Sequence, residues 1–271
     1  MAVDGDSLAH RAYHGLPKTI RRAGGRPAGA LSGFANFLTR LWESEQPRAV
    51  VVGWDTLESP TYRHDELPGY QAGRVFDDAL LEQLAMLPAL VEAFGFRSAR
   101  TAGYEADDFL GACAAAEEKR RGTCLVVTSD RDAYQLVSER TTILKPVRGV
   151  SELDRVGPAE VLEAYGVRPD QVPDFIALRG DPSDKIPGAK GVGPKTAATV
   201  LQEHGSLEAA LVAGRFPHQA EDLRLYRRIA TFDASAPLPS LSDQTPTWAE
   251  ASSLAREWGM NALSERLAAL E

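Results

Sequence analysis

The sequence predicts an α/β fold, a mainly parallel sheet flanked by helices, followed by a helical C-terminal region. Three observations carry this reading. Short, uninterrupted β-branched runs such as Ala49 to Val52 and Cys124 to Val127 read as strands buried on both faces. Stretches with apolar residues at helical spacing separate them. Beyond about residue 155 the alternation stops, which divides the chain into a core over 1–155 and a helical part over 156–271.

In order along the chain, the first apolar run is Met1 to Val3, too short for a central strand, and it delivers Asp4. Either the strand is short or the native start lies upstream. Leu8 to Leu16 mixes apolar residues with His10, Arg11 and His14, and Lys18, Arg21, Arg22 and Arg26 follow as a basic loop. From Gly29 to Glu45, Leu31, Phe34, Leu38, Leu41 and Trp42 mark an amphipathic helix that Pro47 ends. The next strand delivers Asp55. Residues 56–76 have no clear period and carry Pro60, Pro68, Gly69 and Gly73 among Tyr62, Arg63, Tyr70 and Arg74. An exposed loop or irregular arch of that length is usually functional or disordered. Its tyrosines suit stacking on bases and its arginines suit phosphates.

Asp77 to Phe94 reads as a helix closed by Gly95, and Glu105, Asp107 and Asp108 open another. Acids in a first turn face the positive end of the helix dipole. Asp130 and Asp132 follow the strand Thr123 to Thr128, and Thr141 to Lys145 is the last strand expected. Farther on, Ile186 to Thr196 is a glycine-rich turn before a helix at Ala197 to His204, and two short helices follow a Pro- and Ser-rich loop at Pro237 to Pro246.

The chain has 271 residues, enough to bury a full core, and its formal charge of −8 argues against a uniformly basic surface that coats nucleic acid. A local basic stripe remains compatible with it. The two cysteines, Cys113 and Cys124, have no partner at metal-binding spacing and read as small buried residues in a reducing interior. No apolar run approaches the ~20 residues of a membrane span, and no signal peptide opens the chain. A cytoplasmic protein with no membrane contact is expected.

The acids carry the chemistry. Asp4, Asp55, Glu105 with Asp107 and Asp108, Asp130 with Asp132, and Asp181 with Asp184 each follow an apolar run. In an open α/β sheet the strand ends converge on one crevice. Carboxylates crowded there keep their charge when hard cations such as Mg²⁺ or Mn²⁺ neutralise them. Turn chemistry alone would use Asn, Ser or Gly as readily, although single aspartates such as Asp6 and Asp154 read as ordinary turn or capping residues. His10 and His14, four apart, lack the intervening Glu of a zinc pair and read as packing or phosphate contacts. Gly188 to Thr196 nearly spells a nucleotide-hydrolase phosphate loop, but Pro194 stands where the lysine belongs. The same residues suit a helix-hairpin-helix turn, with backbone N–H groups at Gly191 and Gly193 and the charges of Lys190 and Lys195 on a DNA phosphate.

Taken together, Val3-Asp-Gly5, Tyr104-Glu-Ala-Asp-Asp108, Thr128-Ser-Asp-Arg-Asp132 with Tyr134-Gln-Leu136, Gly180-Asp-Pro-Ser-Asp184 and Gly191-Val-Gly-Pro-Lys195 resemble the bacterial 5′ nuclease family. That family comprises the N-terminal domain of DNA polymerase I and stand-alone flap endonucleases. The resemblance runs from Ala2 to beyond residue 210. It implies a PIN-like core with a helix-three-turn-helix element, here at about 175–215, acting on DNA with 5′ flaps, nicks or 5′ ends. It implies two divalent cations, Mg²⁺ or Mn²⁺, and a monovalent cation at the helix-three-turn-helix turn. Asp4, Asp55, Glu105 and Asp107 resemble ligands of the first metal; Asp130, Asp132, Asp181 and Asp184 resemble those of the second, with Asp108 in an outer position.

Tyr70 and Arg74 match arch residues that handle the strand near the scissile phosphate, and Arg11 and Arg63 join them as expected DNA contacts. Gln71 stands where many relatives carry an arch lysine, and Lys185 where polymerase-linked domains usually have asparagine. The expected protein is a structure-specific 5′ nuclease, monomeric, free-standing or excised from a longer chain, with a separate DNA polymerase as a possible partner. A catalytically weak branched-DNA-binding protein and an RNA-cleaving PIN-type nuclease are the alternatives.

Overall fold

In the computed structural model, which describes residues 1–56, 59–73, 75–148 and 152–271, each central strand sends alternate side chains to opposite faces of one sheet. Ala2, Val51, Val126 and Ile143 enter one core, while Val3, Val52, Val127 and Leu144 enter the other. This is the period-2 geometry of a strand buried on both sides. The strands are β1 (Ala2–Asp4), β2 (Val51–Gly53), β3 (Arg97–Ala99), β4 (Cys124–Val127), β5 (Thr141–Arg148) and β6 (Glu152–Val156), in spatial order β3-β2-β1-β4-β5-β6. All neighbours run parallel except β5 and β6.

Three expectations change here. The N-terminal strand is central despite its length, paired with β2 on one side and β4 on the other. A strand covered on both faces needs few residues to bury its share of apolar area, and Ala2 and Val3 are fully buried. Edge strands β3 and β6 were not anticipated, because Arg97-Ser-Ala99 and Glu152-Leu-Asp-Arg-Val156 carry the polar and charged residues that edges tolerate. The strand at Thr141 runs on through Pro146 to Arg148, with a register shift against β6 at the proline, where a missing N–H is harmless.

On one face lie helices α1 (Gly5–Gly15), α2 (Gly29–Glu45) and α4 (Asp78–Ala93). A short helix α3 (Tyr62–Glu66) lies between them in sequence. The other face is covered by α5 (Ala106–Lys119), then α6 (Pro158–Tyr165), α7 (Val172–Arg179), α8 (Pro194–His204), α9 (Leu207–Val212) and α10 (Ala220–Ala230). The last helices, α11 (Trp248–Glu257) and α12 (Asn261–Ala268), return to the first face, where Ala251, Ala255, Met260, Leu263 and Leu267 join the core of α1, α2 and α4. Thr247 N–H donates to the Phe94 carbonyl at 3.1 Å. Gly95, at φ 81°, leaves no room for a Cβ, which would stand 2.9 Å from the Thr245 carbonyl oxygen. Helices α11 and α12 thus pack in a different core from α6 to α10. Among the described residues, no helix is long and apolar enough to cross a membrane.

Candidate active site

The strand order changes direction between β1 and β4, and the crevice outside the carboxyl ends of parallel strands opens there. Asp4, the last residue of β1, caps α1 by accepting from Ser7 N–H at 2.9 Å and accepts the Thr128 hydroxyl at 2.7 Å. Just past β2, Asp55 Oδ1 accepts from Ala106 N–H at 2.8 Å, which ties the end of that strand to the start of α5. Glu105 is the N-cap of α5 and Asp107 lies in its first turn. Asp130 follows β4 and accepts from Asp132 N–H at 2.8 Å. Small residues let these elements meet: a Cβ at Gly5 would enter the Trp54 ring, and one at Gly53 would stand 2.9 Å from the Ala106 carbonyl.

These elements enclose a recess of about 660 Å³ lined by Asp4, Asp6, Asp55, Glu105, Asp107, Asp130 and Asp184. A second cavity of about 920 Å³ is lined by Asp130, Asp132 and Asp181 together with Arg131, Arg179 and Lys195. Ser129 and Asp130 line both. The acids thus occupy two adjoining cavities rather than one pocket. Asp6 was read from sequence as a turn or capping residue, but its Oδ2 accepts from Asp55 N–H at 2.8 Å inside the recess. Its signal was its place two residues after a strand-end aspartate, in the same helical turn.

Burial and mutual repulsion dominate the recess. Burial pushes Asp4 up to about 7 against the opposing hydrogen bonds from Thr128 and Ser7. Burial likewise raises Glu105 to about 7, with Arg63 opposing and Asp55 and Asp108 adding to the rise. Asp107 is held well above the ordinary carboxylate range by burial and by the charges of Asp130, Asp4, Asp55 and Glu105, and Asp6 by burial and Asp55. Among the described residues no three such groups already form a closed ion cage. The donor set nevertheless fits hard divalent cations: it is all carboxylate oxygen, sheltered, and carries more negative charge than its surroundings offset. In the second cavity a side chain supplies part of that offset. Arg179 donates to Asp181 at 3.1 Å and stands 3.8 Å from Asp132, yet burial and the nearby acids still raise Asp132 well above its usual range.

Behind the recess, three residues of the segment expected as an exposed arch, Thr61, Arg63 and Tyr70, are buried. Arg63 is 2% exposed and cannot be a surface DNA contact in this conformation. Its guanidinium grips fully buried Asp108 through two hydrogen bonds, at 2.9 and 2.6 Å, and donates to the Ile229 and Thr231 carbonyls at 3.0 and 3.2 Å. Asp108 does not line the recess; it accepts from Glu105 N–H at 3.0 Å and from Asp233 N–H at 2.8 Å, so it fixes the turn that carries Glu105. Tyr70, 5% exposed, has no ring face open for stacking and donates its hydroxyl to Glu105 Oε2 at 3.1 Å. Burial and the Glu105 charge raise its pKa and keep it a neutral donor. Thr61, which sequence gave no reason to select, donates to Glu105 Oε1 at 3.0 Å. Arg74 lies outside the described residues. Arg11 is half-buried and donates to the Val147 carbonyl at 2.5 Å.

Between α7 and α8 the chain reverses through Asp181 and Ile186, whose N–H and C=O groups pair in both directions at 2.8 Å. Gly180 and Gly188, at φ 78° and 75°, pack backbone to backbone: a Cβ at Gly188 would stand 2.7 Å from the Arg179 carbonyl carbon. This crossing presents Lys190, Gly191, Gly193 and Lys195 to solvent at the start of α8, where no acid occupies the first turn. Helix N-termini of this kind favour anions.

Residues 1–166 match the family described as the 5′-3′ exonuclease N-terminal resolvase-like domain, and 167–255 match the 5′-3′ exonuclease C-terminal SAM fold. DNA polymerase I of Mycobacterium tuberculosis is 42% identical over 211 residues, which is 77% of this chain and 23% of that polymerase. The chain therefore spans about a quarter of the length of the curated relatives it matches. Among solved structures, the zinc-bound 5′-exonuclease of bacteriophage T5 matches with a TM-score of 0.71 at 18% identity, covering 98% of this chain and 97% of that one. The T5 flap endonuclease in complex with DNA and metal ions matches with a TM-score of 0.65 at 19% identity over the same shares, 98% and 97%. Likeness at that distance shows a shared fold. With both halves matched to one family, the chain belongs to the 5′-3′ exonuclease family.

Proposed function

We propose that this protein is a structure-specific 5′ nuclease that hydrolyses DNA phosphodiesters at 5′ flaps, nicks and 5′ ends with Mg²⁺ or Mn²⁺. The observation that carries this is the recess in which Asp4, Asp6, Asp55, Glu105, Asp107, Asp130 and Asp184 meet beside an exposed glycine-lysine turn. Asp4, Asp55, Glu105 and Asp107 would hold one cation, and Asp130 and Asp184, with Asp132 and Asp181 from the adjoining cavity, a second. When bound, two such ions supply an activated water and offset charge on the scissile phosphate and the leaving 3′ oxygen. The chain's own groups do the rest. Thr128 and Ser7 orient Asp4, the Ala106 N–H orients Asp55, and Thr61 with Tyr70 orients Glu105.

Lys190, Lys195 and the N–H groups near Gly191 and Gly193 would hold duplex backbone without reading sequence. A monovalent cation at that turn belongs to the same proposal. The reacting phosphate then reaches the recess only when the duplex is gripped and a frayed strand has passed the arch. Every group named comes from one copy of the chain, so a monomer suffices, and we place it in the cytoplasm with a core to about residue 155. Incision of a labelled 5′-flap duplex with Mg²⁺, and its loss with EDTA, tests the proposal. The product should carry a 5′ phosphate. Uncut DNA at saturating enzyme in a single-turnover assay would leave branch binding as the function, and preferential cutting of an RNA flap would point to an RNA nuclease.

A further inference from the structure

We propose that Gln71 is a positioning residue that aligns Glu105 and Asp184 across the recess; the proposal rests on the nuclease reading above. A carboxamide nitrogen carries two hydrogens. At Gln71 one goes to the Tyr70 hydroxyl at 3.0 Å and the other to Asp184 Oδ1 at 3.2 Å. The Gln71 backbone N–H also donates to the Asp184 carbonyl at 3.3 Å, so the residue is tied to the turn before α8 at both ends. Because the Tyr70 hydroxyl accepts from the amide, its own hydrogen is free to point at Glu105 Oε2, 3.1 Å away. Donation therefore runs outward in both directions from one amide, to a carboxylate on α5 and to a carboxylate next to the DNA-gripping turn.

The backbone supports the same reading. Gln71 sits at φ 51°, a left-handed conformation that is unfavourable for a residue with a Cβ and persists where surrounding contacts hold it. Three segments far apart in sequence meet through this side chain: the first turn of α5, the arch and the turn between α7 and α8. An amide suits the position because it donates twice and adds no charge between two acids. A methionine of similar length donates nothing, and a glutamate of similar shape both fails to donate and repels.

The test uses the full chain, with Mn²⁺ affinity measured by titration without DNA and single-turnover incision of a 5′ flap measured alongside. Q71M should weaken Mn²⁺ binding and slow incision by roughly tenfold each, the loss of about one well-placed hydrogen bond. Q71E should lose more. The melting temperature of Q71M should stay with the parent, and KM for the flap should move less than kcat. Y70F cuts the same chain one link later, so Q71M added to Y70F should cost less than the two losses combined. Parent-like Mn²⁺ affinity in both Q71M and Q71E overturns the proposal, as does full additivity with Y70F. A parent protein that binds Mn²⁺ but does not cut DNA overturns the nuclease reading instead, and the Mn²⁺ series still decides the role of Gln71.

Discussion

Asp107 and Asp108 are neighbours on one turn of α5, and they meet opposite electrostatic surroundings. Asp108 points behind the recess, where the guanidinium of Arg63 and two backbone N–H groups satisfy a fully buried carboxylate. Asp107 points forward, where its charged neighbours are Asp130, Asp4, Asp55 and Glu105. A buried acid with its own arginine is a structural strut. One ringed by acids is strained by mutual repulsion, and that contrast sets the two carboxylates apart electrostatically.

The largest expected effect falls on the forward residue. Asp107→Ala should cut Mg²⁺-dependent incision by at least ~10²-fold, since loss of groups around a metal site costs that much even one shell out. The same variant, melted in EDTA, should be no less stable than the parent, because a repelling charge has gone. Destabilisation in EDTA would break the contrast. For the rear residue the signs reverse: Arg63→Ala leaves Asp108 buried without its partner and should cost about 3–5 kcal/mol in denaturant unfolding. Replacing Arg63 and Asp108 together with apolar residues should cost less than Arg63→Ala alone.

Proton linkage sharpens the comparison. Asp4 and Glu105 lie at about 7 in the folded protein, above their unfolded values of about 4. The folded state then binds more protons than the unfolded state, so metal-free stability falls as pH rises through the window from about 4 to about 7. Melting temperatures in EDTA should decline across it, and saturating Mg²⁺ should flatten the decline at its upper end. A smaller effect is expected at the glycine-lysine turn: Lys190→Ala and Lys195→Ala should each weaken flap binding and lower the slope of log affinity against log salt by about 1, and Lys190→Ala, at a residue that lines neither cavity, should leave metal affinity unaltered. A change in Mn²⁺ binding in Lys190→Ala would mean that the turn and the recess are not separate devices.

How much of this the sequence disclosed varied with whether a residue's partner was local. Helix α2, the strand ends carrying Asp4, Asp55 and Asp130, and the glycine turn before α8 were readable from periodicity and punctuation. Edge strands β3 and β6 were not, because polar residues on an exposed edge look like loop. Arg63 and Tyr70 looked like DNA contacts because aromatic and basic residues in an aperiodic segment usually face solvent. Their actual partners, Asp108 and Glu105, lie more than thirty positions away. Asp6 has a local signal in its place beside Asp4, but its partner Asp55 is 49 positions away and only folding brings the two together.

By itself the sequence determined the alternation of buried strands and amphipathic helices, the acids at the ends of those strands, and the glycines that let two backbones cross. Those follow from side-chain volume, period and backbone freedom, which act over a few residues. Only the tertiary structure decided which carboxylate would be neutralised by an arginine and which left among other acids, that Ser129 and Asp130 would lie between two acid-lined cavities, and that Thr61 and Tyr70 would reach Glu105. Charge compensation is a property of groups brought within a few ångströms by folding, and the order of residues along the chain does not specify those distances.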